Sequence, residues 1–239
     1  MAVQTAAPTT TWRTDRLFYG GMAIAMSGAV VGGFASSFYL RGVVAGPTPP
    51  LTGLLWVHGL AFTAWMLLFF TQTVLIASRR VNVHRKLGAV GVTLAAVMIA
   101  LALSQAVISL RLDHTPVAGI SPQAFFVLPF FDMVVFATLV VAAVLNRRRP
   151  ETHKRLMLMA TIALLDAPIA RMVPALGPPG FFGIQDLYVI AGPIYDLISR
   201  RKINSAYIWG GLLVIASQPI RLLISATPVW LAFAGWLHG

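Results

Sequence analysis

Four charged side chains inside apolar runs long enough to cross a membrane are of interest: Asp132, Asp166, Arg171 and Arg221. A charge at that depth is costly, and by default it marks a proton relay, a substrate path or a counter-ion. The stretch Asp166-Ala167-Pro168-Ile169-Ala170-Arg171 is echoed by Gln218-Pro219-Ile220-Arg221. Each joins a polar side chain, a proline and an arginine. The proline removes a backbone donor and frees a carbonyl one turn earlier. That carbonyl can accept from a ligand, a water or an arginine. Counting 1.5 Å per residue from the basic turns puts Asp166 about 20 Å deep, near mid-membrane. His58 and Asp186 fall near the opposite interface.

Two readings of these residues stay open on the sequence alone. One is an outward-facing ligand pocket lined by Asp132, Asp166, Arg171, Gln218 and Arg221, with His58 as a further ligand-binding candidate. The other is a set of buried ion pairs that fix the helix arrangement. Asp166 and Arg171 lie about 140° apart on an ideal helix. Their charges are therefore expected to be met across helices: Arg221 for Asp166, and Asp132 or Asp186 for the arginines.

Other chemistries lack their residues. The chain has no cysteine, which excludes disulfides, thiolate catalysis and cysteine-held clusters. No lysine lies in the interior of a predicted span, Lys86 and Lys154 standing in first turns at the basic end, which excludes a retinal Schiff base. No HExxH, phosphate-binding glycine loop or serine elbow occurs. No catalytic residue and no metal ligand is assigned. His84 and His153 start two helices beside arginines, a pattern that invites haem. A bis-histidine haem needs facing imidazoles and a buried ring. These two sit at basic turns near water, so haem is disfavoured. A quinone or carotenoid is the cofactor class left open.

The elements that must position these groups are helices. Hydrophobic residues make up 58% of the chain and charged ones 10%, and mean hydropathy is +0.80. Backbone in lipid must satisfy itself, so the apolar runs read as helices. The organising stretch is Ser78-Arg79-Arg80-Val81-Asn82-Val83-His84-Arg85-Lys86-Leu87-Gly88. It recurs at Arg147-Arg148-Arg149-Pro150-Glu151-Thr152-His153-Lys154-Arg155-Leu156, and more weakly at Ser199-Arg200-Arg201-Lys202-Ile203-Asn204-Ser205.

The chain reads as an all-α membrane protein: one leading helix plus three parallel-repeat helical hairpins, seven transmembrane helices in all. Expected helices cover residues 17–40, 51–77, 84–110, 123–145, 153–176, 181–198 and 204–226. Turns are expected at residues 46–50, 111–122 and 177–180. Residues 1–16 form a loose tail, 17–227 the seven-helix domain, and 228–239 an interfacial tail with Trp230 and Trp236. A net charge of +11 gathers in the three turns on one side, which places that side and the N-terminus in the cytoplasm. The charge is expected to meet anionic headgroups. No soluble basic domain exists to bind nucleic acid.

Trp56-Val57-His58-Gly59, Trp65, Gln72, then His84-Arg85-Lys86-Leu87-Gly88 and His153-Lys154-Arg155-Leu156-Met157 resemble a pattern in uncharacterised bacterial multi-pass membrane proteins. The resemblance spans roughly residues 50–175 and implies a bacterial inner membrane but no reaction. The leading expectation is a non-catalytic protein, either an accessory subunit of a membrane complex or a binder of a quinone, carotenoid or lipid. A proton-linked transporter using Asp132 and Asp166 is the second expectation. A haem- or quinone-binding oxidoreductase subunit is the third.

Overall fold

A computed structural model describes residues 9–46, 50–114 and 119–239. Residues 1–8 of the expected tail, 47–49 of the first loop and 115–118 of the second lie outside the described residues. Of the described residues 84% are helical, and no strand occurs among them. Helix α1 is Thr9–Gly33 and ends in a π-helical turn, Ala35–Tyr39. Then come α2 Gly53–Ala77, α3 Val81–Arg111, α4 Pro122–Phe125, α5 Val127–Leu145 and α6 Pro150–Ile162. The last four are α7 Asp166–Met172, α8 Gly177–Arg200, α9 Ser205–Ser225 and α10 Pro228–His238.

Five helical stretches are long and apolar enough to cross a membrane: Gly53–Ala77, Val81–Arg111, Pro122–Leu145, Pro174–Arg200 and Ser205–Ser225. The expected count of seven is not reached, for two physical reasons. Helix α1 begins inside the stretch read as a tail, and its first turns carry Arg13, Asp15 and Arg16. The expected helix over 153–176 is broken: α6 stops at Ile162, and α7 starts at Asp166. Pro168 cannot donate to the preceding turn, so continuous helix there would lose a bond and meet a clash.

The expected turn at 177–180 is instead helix, and a Gly-Pro pair further along does not interrupt it. Gly177-Pro178-Pro179-Gly180 is the first turn of α8, where proline costs no bond because first-turn N–H groups lack partners anyway. Gly192-Pro193 lies within α8. There the Tyr207 ring packs so closely that a Cβ on Gly192 would come 2.5 Å from it. The stretch at 228–239 is also helical and packs on α3 and α4.

The first two basic turns share one local geometry. The second arginine of each pair, Arg80 or Arg149, immediately precedes the helix, and the histidine is its fourth residue. The third turn departs from this. Arg201 ends α8 in the left-handed region (φ 56), as Arg79 does after α2 (φ 60), but here Asn204 caps the next helix, α9, through its side chain.

Helix α6 is the inner helix. Leu158, Met159, Ala160, Thr161 and Ile162 are all fully buried, which requires neighbours on every side. Helices α5, α8 and α9 supply them. Helix α1 packs against α2, α7 and α8. Its contact with α7 depends on Gly33, where an added Cβ would stand 2.6 Å from Pro168 Cα. Backbone cannot yield as a side-chain tip can, so Gly33→Ala must push α1 from α7. Overpacking of this kind costs about 1–3 kcal/mol. Thermal unfolding in mild detergent is expected to fall for Gly33→Ala and to stay unchanged for Gly20→Ala, whose Cβ would meet nothing.

Candidate functional site

The break between α6 and α7 places Asp166 in the first turn of α7, where its Oδ1 accepts from the Ala167 N–H at 2.7 Å. From α9, Arg221 reaches the same carboxylate: Nη1 donates to Asp166 Oδ2 at 3.1 Å. The same Nη1 also donates to Asp132 Oδ1 from α5. Nη2 donates to Ser217 Oγ one turn earlier, at 3.0 Å. The guanidinium lies 5.7 Å from the Phe182 ring centroid. Side-chain exposure is 1% for Arg221, 6% for Asp166 and 13% for Asp132. Two carboxylates therefore share one nitrogen, and the least covered group is Asp132.

A chain of amides continues the cluster. Gln218 Nε2 donates to Asp186 Oδ1 at 2.8 Å and to Gln185 Oε1 at 3.1 Å. Gln185 Nε2 donates to the Ile162 carbonyl at 3.0 Å, at the end of α6. That carbonyl also accepts from the Leu165 N–H at 3.0 Å, so the neighbouring helix adds a second bond at the break.

The structure brings together Asp132, Asp166, Gln218 and Arg221 of the sequence-selected residues. It leaves out two. Arg171 is exposed, donates to the Ala167 carbonyl at 3.1 Å and lies over the Phe34 ring at 4.6 Å. It points away from Asp166, as the helical spacing requires. His58 stacks on Phe62 at 4.4 Å, and its buried Nδ1 has no hydrogen-bond partner. No contact joins it to the acidic cluster. Among the described residues no group of three or more histidine or acidic side chains is placed to hold a metal.

A second ionic centre at the basic end was not foreseen. Arg155 and Asp196, 1% and 0% exposed, form a two-pronged pair, with Nε to Oδ2 at 2.9 Å. Arg155 Nη1 also donates to Glu151 Oε2 at 2.7 Å. Asp15 of α1 accepts from Lys154 Nζ at 2.8 Å, from Arg200 Nη2 at 2.7 Å and from the Tyr195 hydroxyl. Three cations and three anions thus bind α1, α6 and α8. A deeper layer holds Tyr19 and Tyr207, whose hydroxyls meet at 3.1 Å. The sequence did hold a signal for it. Asp196 lies within an apolar run one helical turn before Arg200, and Asp15 sits between two arginines.

His84 and His153 meet at the same end, ring centroids 6.3 Å apart and edge to face. His153 Nδ1–H donates to the Ala143 carbonyl at 2.8 Å. Gln72 Nε2 donates to the His84 carbonyl at 3.2 Å, and Trp65 Nε1 to Thr161 Oγ1 at 3.3 Å. Several residues of the resemblance pattern therefore tie α2 to α3 and α6.

The chain matches no family model, no curated protein and no solved structure. Function must be argued from the geometry.

Removing one partner of a buried ion pair leaves an uncompensated charge, at a cost of about 3–5 kcal/mol. Arg221→Gln strands two carboxylates and is expected to destabilise more than Asp166→Asn. The double variant is expected to be less than additive, because the two side chains touch. Strict additivity in thermal unfolding of detergent-solubilised protein would contradict the shared contact.

At the basic end, burial pushes the Asp15 carboxyl up, but bonds from Arg200, Lys154 and Tyr195 outweigh it and hold it below the ordinary range. A carboxyl depressed on folding stabilises the fold above its unfolded pKa of about 3.9, and that contribution is lost as pH falls through the folded value. The unfolding temperature of wild type is therefore expected to drop toward that of Asp15→Asn below about pH 4. A constant gap between the two would remove the ionic role of Asp15.

Proposed function

We propose that this chain is a multi-pass membrane protein of the proton-linked carrier type, with the Asp132–Arg221–Asp166 cluster as its proton-binding centre. The observation that carries the reading is one buried guanidinium nitrogen shared by two carboxylates at the break of the inner helix. With both carboxylates ionised the cluster bears one net negative charge. A buried net charge is expensive, and like-charged carboxylates on one site cannot both ionise cheaply. One added proton makes the cluster neutral. The half-buried Asp132 is the member with a route to exchange that proton.

The surroundings fit a carrier. Charged residues within spans mark ion and proton paths, and broken helices at mid-membrane are a recurring transporter device. Gln185 and Gln218 link the break to α8 and α9, so a change of charge at Asp166 is felt by both. A pocket for a quinone, carotenoid or lipid has less support, since Asp166 is bonded to Arg221 and Gln218 to Asp186 and Gln185, although the buried Arg221 Nε has no partner. The leading α1 and the α6–α7 pair complete a seven-element crossing pattern in this reading. The three basic turns then face the cytoplasm of a bacterial inner membrane, as the charge distribution favours.

The test uses vesicles loaded with a pH-sensitive dye and pulsed with organic acids, amines and sugars. Wild type is expected to move protons with at least one of these solutes. Asp166→Asn, which fixes the cluster in a neutral form, is expected to abolish that proton movement. A variant that carries solute and protons at the wild-type rate would overturn the proposal.

A further inference from the structure

An open groove of about 360 Å³ runs between α1 and α2 at the basic end. Gly20 and Ile24 of α1 and Phe70 and Val74 of α2 form its apolar walls, and Arg13 and Arg16 stand at its rim. From Arg13 to Ile24 the groove follows eleven helical steps, about 16 Å at 1.5 Å each. That is close to one leaflet of a ~30 Å hydrocarbon core. The shape is a half-membrane slot with cations at its head and none along its length.

The rim carries uncompensated charge. Trp12 holds two guanidiniums against its ring, Arg16 at 4.7 Å and Arg79 at 4.8 Å from the centroid. No carboxylate neutralises them. The chain has seven acidic residues, and each is engaged elsewhere. Asp15, Glu151 and Asp196 serve Lys154, Arg155 and Arg200; Asp132 and Asp166 serve Arg221. Asp186 serves Gln218, and Asp113 serves His238. Clustered like charges beside an apolar slot need an anion with a hydrocarbon tail. We infer that the α1–α2 groove is a binding site for an anionic phospholipid, with an acyl chain along Gly20 and its phosphate held by Arg13, Arg16 and Arg79. This inference does not depend on the carrier reading.

Two variants separate the parts of the site. Gly20→Phe adds a ring where a Cβ meets nothing within 4 Å, so it fills the slot without altering charge or packing. Arg13→Gln with Arg16→Gln removes the head contacts. A pair of equal charge change, Arg147→Gln with Arg148→Gln, serves as control. Native mass spectrometry in mild detergent reads retained phosphatidylglycerol against phosphatidylcholine. Wild type is expected to retain one phosphatidylglycerol in preference. Each basic residue near an anionic surface is worth ~1 kcal/mol, so the Arg13/Arg16 pair is expected to cost about thirtyfold in retention. Gly20→Phe is expected to cost as much while the unfolding temperature holds. Three results would each overturn the site: wild-type retention by Gly20→Phe, equal loss in the Arg147/Arg148 control, or displacement of the lipid by glycerol phosphate. The last would mean an anion site with no use for the slot.

Discussion

One guanidinium nitrogen of Arg221 sets the terms for the centre of this molecule. It is almost wholly buried, and it is shared by Asp132 and Asp166 from two other helices. An arginine cannot discharge itself inside a protein, so it must be met by anions wherever the fold buries it. The break between α6 and α7 meets that demand by turning Asp166 toward α9. Beside the break, Gln185 adds a side-chain bond to the Ile162 carbonyl and passes the link on to Gln218. Five helices, α5 to α9, are thus linked around one cation. Replacing such a centre with apolar side chains is often neutral or stabilising, so stability alone is a weak reason for keeping it. An ionisable role at this depth explains the choice better.

The inner helix α6 carries charge only at its ends. Arg155 at one end and the break beside Asp166 at the other are separated by the buried apolar run Leu158, Met159, Ala160 and Ile162. The two centres differ in kind. The basic-end network sets Lys154, Arg155 and Arg200 against Asp15, Glu151 and Asp196 and is balanced. It fastens α1 to the bundle. The Arg221 centre is unbalanced by one charge. The basic end also divides its cations into those paired with carboxylates and those that are not, and of the latter Arg13 and Arg16 line an apolar slot, with Arg79 on the Trp12 ring.

Much of this was legible in the sequence because membranes enforce simple rules. Apolar length gave the helices α2, α3, α5, α8 and α9, and the basic turns gave their boundaries. The cost of a buried charge singled out Asp132, Asp166 and Arg221, and the helical angle excluded an Asp166–Arg171 pair. Asp196 and Asp15 were missed for a physical reason. Charges near a basic turn look solvated in one dimension, and only packing shows that Arg155 is 1% exposed. The break at Ile162 was missed because Pro168 shows that a bond is lost but not whether the helix kinks or stops. Pro193 and Pro219 carry the same sign within unbroken helices. His58 was selected for its depth and type, and neither specifies the direction in which a side chain turns.

The central claim is that the Arg221 centre holds one proton between two carboxylates. Infrared titration of protein in lipid, with aspartate carbon-13 labelling to shift the band, reads that proton as the C=O stretch of a neutral carboxylic acid. The account predicts one such band at neutral pH. It should be lost in both Asp132→Asn and Asp166→Asn, because either change leaves a single carboxylate paired with Arg221. A neutral-pH spectrum with no protonated carboxyl, or a band that survives both replacements, would contradict it.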